Sequence, residues 1–365
     1  MDWKLRETGT REPGSLVTIA CDESASEGEN LMRARHPVFV HASVNVSFQD
    51  AQRYMDQIRA VSGSRAREVK STVLLEASNR SALLDMLGSL EARVNICLVE
   101  KSYYICCKLV DLLIAAKAGE QGENIGLSGL GRQYATVLHD LAPQDVGPGL
   151  FRQVLIAFND FIRVYARGNA TPPSSDPFFR ALEDARERTT NGQVGSILQS
   201  LWDARHFALE YEGRRLEAMR EMDPMFSTLN SVAMAWRIRL GRVPLEFLVD
   251  EYSTLTPHMR EMIIAATRIS VSVAGQRRPQ ADLRAIRSVD SKHDPRVQLA
   301  DIMAGVGREV ANLAQHGTFD DALQIATSEM LDANRMWSDG SYLEELSERR
   351  PLRYVAAYLR SGDLA

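Results

Sequence analysis

The stretch that most constrains this chain is residues 16–22, LVTIACD, an apolar and partly β-branched run that stops abruptly at Asp22, Glu23 and Ser24. Such a run reads as a strand buried on both faces. A carboxylate at its end sits at the rim of a core, where it must find a proton, a cation or a metal. The alternative is that Asp-Glu-Ser simply opens a turn. The choice depends on whether other acids end beside it, and the pattern does return: residues 245–250, LEFLVD, form a second apolar run closing on Asp250 and Glu251.

Between the two acid-tipped runs the periodicity predicts a second strand at 38–47, antiparallel to the first, and a helix at 48–61 with Phe48, Ala51, Tyr54, Met55 and Ile58 on one face. A third strand is expected at 68–75, a short helix at 80–90 and a fourth strand at 94–99 that closes on Glu100 and Lys101. On the third strand Glu68 and Lys70 would share a face. Residues 102–243 then read as helix almost throughout, broken by Gly126 to Gly131, Pro143 to Gly149, Pro172 to Pro177 and Pro224. A helix at 257–270, a strand at 283–289, a helix at 295–313 and two or three C-terminal helices complete the chain. The expected class is α/β: a core from residues 15–101 and 244–313, a helical insertion at 102–243, and C-terminal helices at 314–365.

A length of 365 residues allows one large core with an elaborate insertion, or two domains. With 45% hydrophobic and 25% charged residues the chain matches ordinary soluble proteins. The polar residues 1–14 do not resemble a signal peptide, and no apolar stretch is long enough to span a bilayer, so no membrane association is expected. Cys21, Cys97, Cys106 and Cys107 have no CxxC spacing and no nearby histidine, which fits buried free thiols in a reducing cytoplasm. A net charge of -5 argues against indiscriminate coating of DNA or acidic membrane, while leaving room for a local basic groove.

The helix expected at 295–313 carries the third conspicuous acid. Asp294 followed by Pro295 is a ready N-cap and first-turn pair. The helix is apolar on most sides, and Asp301 falls on a small-residue face with Val297, Ala300 and Ala304, one turn after Gln298. A carboxylate there is costly unless compensated, and a salt bridge to Arg284 or Lys292 would suffice. If Asp22, Asp250 and Asp301 converge, electrostatics favours a metal. Two carboxylates about 4 Å apart repel by roughly 4 kcal/mol at an effective dielectric near 20. A divalent cation reverses that sign. All-oxygen ligation suits Mg²⁺ or Mn²⁺, which can activate water for phosphodiester cleavage, and the lack of a His or Cys cluster points away from zinc.

Several stretches also carry a resemblance. CDES at 21–24 with SEGENL behind it, EVK at 68–70, EK at 100–101, Asp250, and DSK at 290–292 leading into QLADIMAG at 298–305 resemble the family called domain of unknown function 3800. The resemblance spans most of the chain and is weakest in the helical insertion. It implies a ribonuclease H-like or integrase-like mixed sheet with flanking helices, the helical insertion being all-helical, and a metal-dependent phosphodiesterase centre acting on nucleic acid. Ala25 is a departure, standing where a glycine commonly follows the DES triplet.

By this match Asp22, Glu68, Asp250 and Asp301 are the expected ligands for Mg²⁺ or Mn²⁺ and the catalytic acids. Lys70 is expected to hold a phosphate or developing charge, with an ion pair along its own strand as the alternative. Lys101, Lys292 and Gln298 are the expected substrate contacts, although terminal lysines are commonly just solvated. Glu23 and Glu251 would play supporting roles. Arg237, Arg239 and Arg242, with Arg277 and Arg278, would either track phosphates near Asp250 or sit on solvated helix ends. The expected function is a nuclease. The competing reading is a non-catalytic nucleic-acid-binding or assembly module, with the insertion or the C-terminal helices as the surfaces of a homo-oligomer. A glycosidase carboxylate pair fits less well, because lysines flank the acids and few aromatic residues lie at the strand ends.

Overall fold

The two acid-tipped runs lie side by side in the computed structural model, which describes residues 15–63, 69–163, 174–212, 220–252, 254–269, 272–273, 276–277, 280–318, 320–331 and 336–338. Five strands, β1 (Val17–Ser24), β2 (Val38–Val44), β3 (Val94–Glu100), β4 (Pro244–Val249) and β5 (Asp282–Ser288), form one mixed sheet in the order β3-β2-β1-β4-β5. The first three make an antiparallel meander, whereas β4 and β5 run parallel to β1. β2 and β4 are buried at every residue, which explains why their sequences lack apolar and polar alternation: both faces are covered.

The two covers are different. Ala20, Val40, Ala42, Ile96 and Leu248 pack under the helices Phe48–Ser62, Arg80–Leu90 and Pro295–Gln315. Ile19, Cys21, Phe39, Phe247 and Val249 face the other way and share a core with Phe158, Leu198 and Trp236 of the insertion. The insertion is therefore the second layer of the sheet, and each Ile, Phe or Leu it buries contributes about 1.5–3 kcal/mol. Trp236 keeps its indole N–H satisfied on Ser43 Oγ at 2.9 Å. Among the described residues no helix is long and apolar enough to cross a membrane.

The Pro295–Gln315 helix starts as its sequence predicts, with the Asp294 carboxylate accepting from Arg296 N at 3.0 Å. It lies close to the sheet because of Gly307, where a Cβ would come within 2.6 Å of the Ile96 side chain. Gly305 does the same for Ser71, whose hydroxyl would meet a Cβ at 1.9 Å.

One expectation is corrected, and another lies mostly outside the described residues. The third strand expected at 68–75 is absent: Ser71–Leu74 is a single helical turn pressed onto the long helix through Ser71, and Glu68 lies outside the described residues. β1 and β2 already have two neighbours each, so a strand there cannot insert beside them. Of the C-terminal helices expected at 314–365, one is described, Asp321–Thr327, and residues 339–365 lie outside the described residues. Leu331 and Met336 bridge in parallel to Ile96 and Val99, with Ile96 N donating to Met330 O and Glu100 N to Met336 O. This segment covers the outer edge of β3, which otherwise presents unpaired backbone groups.

Candidate functional site

Sheet register brings the acids together. Cys21 is the parallel partner of Val249, so Asp22 and Asp250 leave adjacent strands at the same end. Asp22 shares the face of Ala20, towards the long helix, and Asp301 approaches from that helix. Together with Glu23, Val69, Lys70, Ser291 and Gln298 these three acids line a cleft of about 250 Å³.

Each side chain is held by its local chain. The Asp22 carboxylate is 8% exposed and accepts from Glu23 N at 2.8 Å. Burial pushes its carboxyl up to about 9, and the charges of Glu23, Asp301 and Asp250 push the same way. Burial also raises Glu23, to about 7, with Asp223 and Asp250 adding to the effect. Asp250 Oδ1 accepts from Glu251 N at 2.8 Å and Ser291 N at 3.2 Å, which ties the end of β4 to the turn before the long helix. Gln298 holds the same turn, donating to Ser291 O at 2.8 Å and accepting from Arg59 at 3.2 Å. Lys70 Nζ donates to Asp301 Oδ2 at 3.0 Å. The mid-helix acid therefore finds its cation in Lys70, not in Arg284, which pairs with Asp282, or in the exposed Lys292.

Of the eight residues singled out in the sequence, Asp22, Lys70, Asp250, Gln298 and Asp301 meet in the cleft. Lys101 and Lys292 are not among its lining. Lys101 is buried and donates to Ala25 O at 3.0 Å, and burial lowers its ammonium to about 8. Ala25 is the residue standing at the glycine position, and its φ of 63° is left-handed, the conformation glycine adopts without strain. Lys292 uses its backbone N–H to bond Asp290. Arg239 donates to Val94 O and Glu329 O at the far end of the sheet, so it tracks nothing near Asp250. Glu251 is exposed, as a solvated acid should be.

Three features were given no role at the site from the sequence, although Ser291 lies within the DSK stretch. Ser291 is one. Another is Asp223, fully buried, which caps the Pro224–Leu240 helix through Met225 N at 3.0 Å while accepting from Thr254 Oγ1 at 2.7 Å and from the Tyr252 hydroxyl at 3.1 Å. The signal for it was present, since Asp223-Pro224 is the same cap pair as Asp294-Pro295. The third is His41, opposite Glu23 in the β1–β2 register: it is buried, burial lowers it to about 4, and neither ring nitrogen has a hydrogen-bond partner among the described residues.

The arrangement concentrates negative charge. Among the described residues four carboxylates share one cleft with one ammonium, and yet no three His, Cys, Asp or Glu side chains close into a preassembled metal-ion site. The donor set is all oxygen, the kind Mg²⁺ and Mn²⁺ prefer. Comparison of the chain with protein-family models, with curated proteins and with solved structures gives no match.

Proposed function

We propose that this chain is a Mg²⁺- or Mn²⁺-dependent nuclease of ribonuclease H-like fold, related to the domain of unknown function 3800 family. The observation that carries the reading is the convergence of Asp22, Asp250 and Asp301, with Glu23, in one cleft where a single lysine faces them among the described residues; the raised Asp22 carboxyl agrees with that crowding. A mixed sheet, antiparallel on one side of β1 and parallel on the other, agrees with the fold implied by the sequence motifs. Asp22, Asp250 and Asp301 would hold the cation, with Glu68 the fourth candidate. The cation would supply Lewis-acid charge and an activated water. Lys70, released from Asp301, would be left to hold a phosphate oxygen. Ser291 N–H holds one oxygen of Asp250, and Gln298 fixes that turn through Ser291 O, leaving the other Asp250 oxygen to a cation.

The test is cleavage of single- and double-stranded DNA, RNA and hybrids with and without Mn²⁺. We expect metal-dependent hydrolysis that falls about a hundredfold or more in Asp22→Asn and Asp301→Asn. Equal activity in both variants, or none in the parent, would overturn the reading. The second reading, a non-catalytic nucleic-acid-binding module, draws on the Lys70–Asp301 pair, which already neutralises one acid. It requires binding that persists in EDTA and is indifferent to both substitutions.

A further inference from the structure

Along the Pro295–Gln315 helix, Asp301 and Arg308 are two turns apart on one face, about 10.5 Å along the axis. Asp301 lines the carboxylate cleft. The Arg308 guanidinium reaches instead to Ser24 Oγ at 3.1 Å, two residues on from Asp22. Beyond Arg308, Asn312, Gln315 and the capping His316 form one wall of a second hollow of about 530 Å³, and Arg35 and His36 form the other. Both hollows lie at the same end of the sheet, because Ser24 pairs with Val40 beside the start of β2.

Their characters are opposite. In the second hollow the nearby charges are Arg35, Arg308 and the buried Lys101 against Glu27 and Glu309. Glu27 is engaged by Arg35 N at 2.6 Å, while neither the Arg35 nor the Arg308 guanidinium forms an ion pair with a carboxylate among the described residues. His36 registers this field: burial lowers its imidazole, and Arg308, Arg35 and Lys101 lower it further. No Phe, Tyr or Trp among the described residues lines the hollow, so these offer cations and amides but no platform for stacking a base.

We propose that this groove seats the phosphate backbone of a nucleic-acid strand whose neighbouring phosphodiester lies in the carboxylate cleft, with Arg308 at the crossing and Arg35 as the first cation beyond it. The proposal rests on the phosphodiesterase reading above and names how its substrate is held. Contact through phosphate, without stacking, makes the seat tolerant of sequence. At about 3.4 Å per nucleotide, Arg308 lies about three nucleotides from Asp301, and His316, about 22 Å along the helix, lies about six. Strands shorter than this fill the cleft alone.

The test is fluorescence anisotropy of labelled single strands of 4, 8 and 12 nucleotides, with Mg²⁺ and the Asp22→Asn protein to prevent cleavage. Affinity is expected to rise at least tenfold from the shortest strand to the longest. In the Arg35→Ala, Arg308→Ala double variant that gain is lost, and the slope of log K against log salt shrinks by about 1.4, near 0.7 for each lost phosphate contact. Arg35→Ala alone, at an exposed position, removes half of the slope change without touching the β1 end. Ser24→Ala, which removes the hydrogen bond to Arg308 but keeps the charge, leaves the slope unchanged. Length-independent affinity, or a slope unmoved in the double variant, overturns the proposal. Absence of cleavage by the parent protein beside an Arg-dependent slope removes the phosphodiesterase reading and leaves the groove; cleavage beside an unchanged slope does the reverse.

Discussion

Two carboxylate clusters lie at the same end of the sheet, one beyond β1 and β4 and one beyond β3, and they are balanced in opposite ways. At the end of β3, Glu100 Oε2 meets His139 Nε2 at 2.8 Å, and the other ring nitrogen meets Asp140 Oδ1 at 2.6 Å. Glu100 also accepts from Tyr103 N and from the Ser102 hydroxyl, and Ser338 donates to Asp140 at 2.5 Å. Burial opposes charge on the His139 ring, but hydrogen bonds with Asp140 and Glu100 prevail and push it up to about 9. Burial would likewise raise Glu100, and its bonds with His139 and Ser102 hold it below the usual range. In the cleft burial and like charge act together, and Asp22 goes up. A cluster whose cation sits between its acids is a fastener, and one whose four acids face a single lysine among the described residues leaves room for a ligand. Ser102 Oγ lies 3.2 Å from His139 Nε2, which superficially suggests an acyl-transfer triad. A ring held charged between two carboxylates cannot serve as the base such a triad needs.

This contrast can be broken experimentally, and the largest expected effect is metal linkage. Mn²⁺ at a hundred times its Kd should stabilise the parent protein by about 2.7 kcal/mol in thermal or urea unfolding, and stabilise Asp22→Asn hardly at all. An equal gain in both would move the metal elsewhere.

The fastener should respond to loss of its cation. His139→Ala leaves Glu100 and Asp140 without their cation in a mostly buried setting, and we expect about 2 kcal/mol of destabilisation by urea titration. The sign with pH follows from the raised ring: its stabilisation is full below the unfolded value of 6.5 and disappears as pH rises through about 9. The parent should lose stability across that window while His139→Ala does not, and the His139 ring should titrate near 9 by NMR. A midpoint near 6.5 would erase the distinction between the clusters.

The smallest effect concerns the loop between them. Ala25→Gly relieves a left-handed φ, offset by the greater freedom of the unfolded chain, for a net gain of about 0.5 kcal/mol in urea unfolding. A loss instead would mean that the methyl group packs usefully beside Lys101.

Much of the cleft was legible because its acids end long apolar runs or interrupt an apolar helix; Asp22, Asp250 and Asp301 each break a pattern that local sequence makes visible. The helix at 48–62 was equally readable, bracketed by Ser47 as cap and Gly63 in a left-handed turn. Residues 71–74 were not, because a short β-branched stretch suits either strand or helix, and contact with Gly305, more than two hundred residues away, decides. His139 and Asp140 lie on an insertion helix, and nothing local signals that its face meets the end of β3. Lys101 was expected to contact substrate or to be solvated at a strand end, and its burial follows from the loop that folds over it at Ala25.

The β1–β4 pairing also bears on how the chain folds. The meander β1-β2-β3 joins segments close in sequence, whereas Cys21 and Val249 meet only after a loop of more than two hundred residues has closed. Contacts of such long range slow folding, since chain entropy is lost before any pairing energy returns. Asp22 emerges early during synthesis, and Asp250 and Asp301 late. The acids that repel one another are thus kept apart until the insertion has been made, and their encounter belongs to the final closure of the sheet.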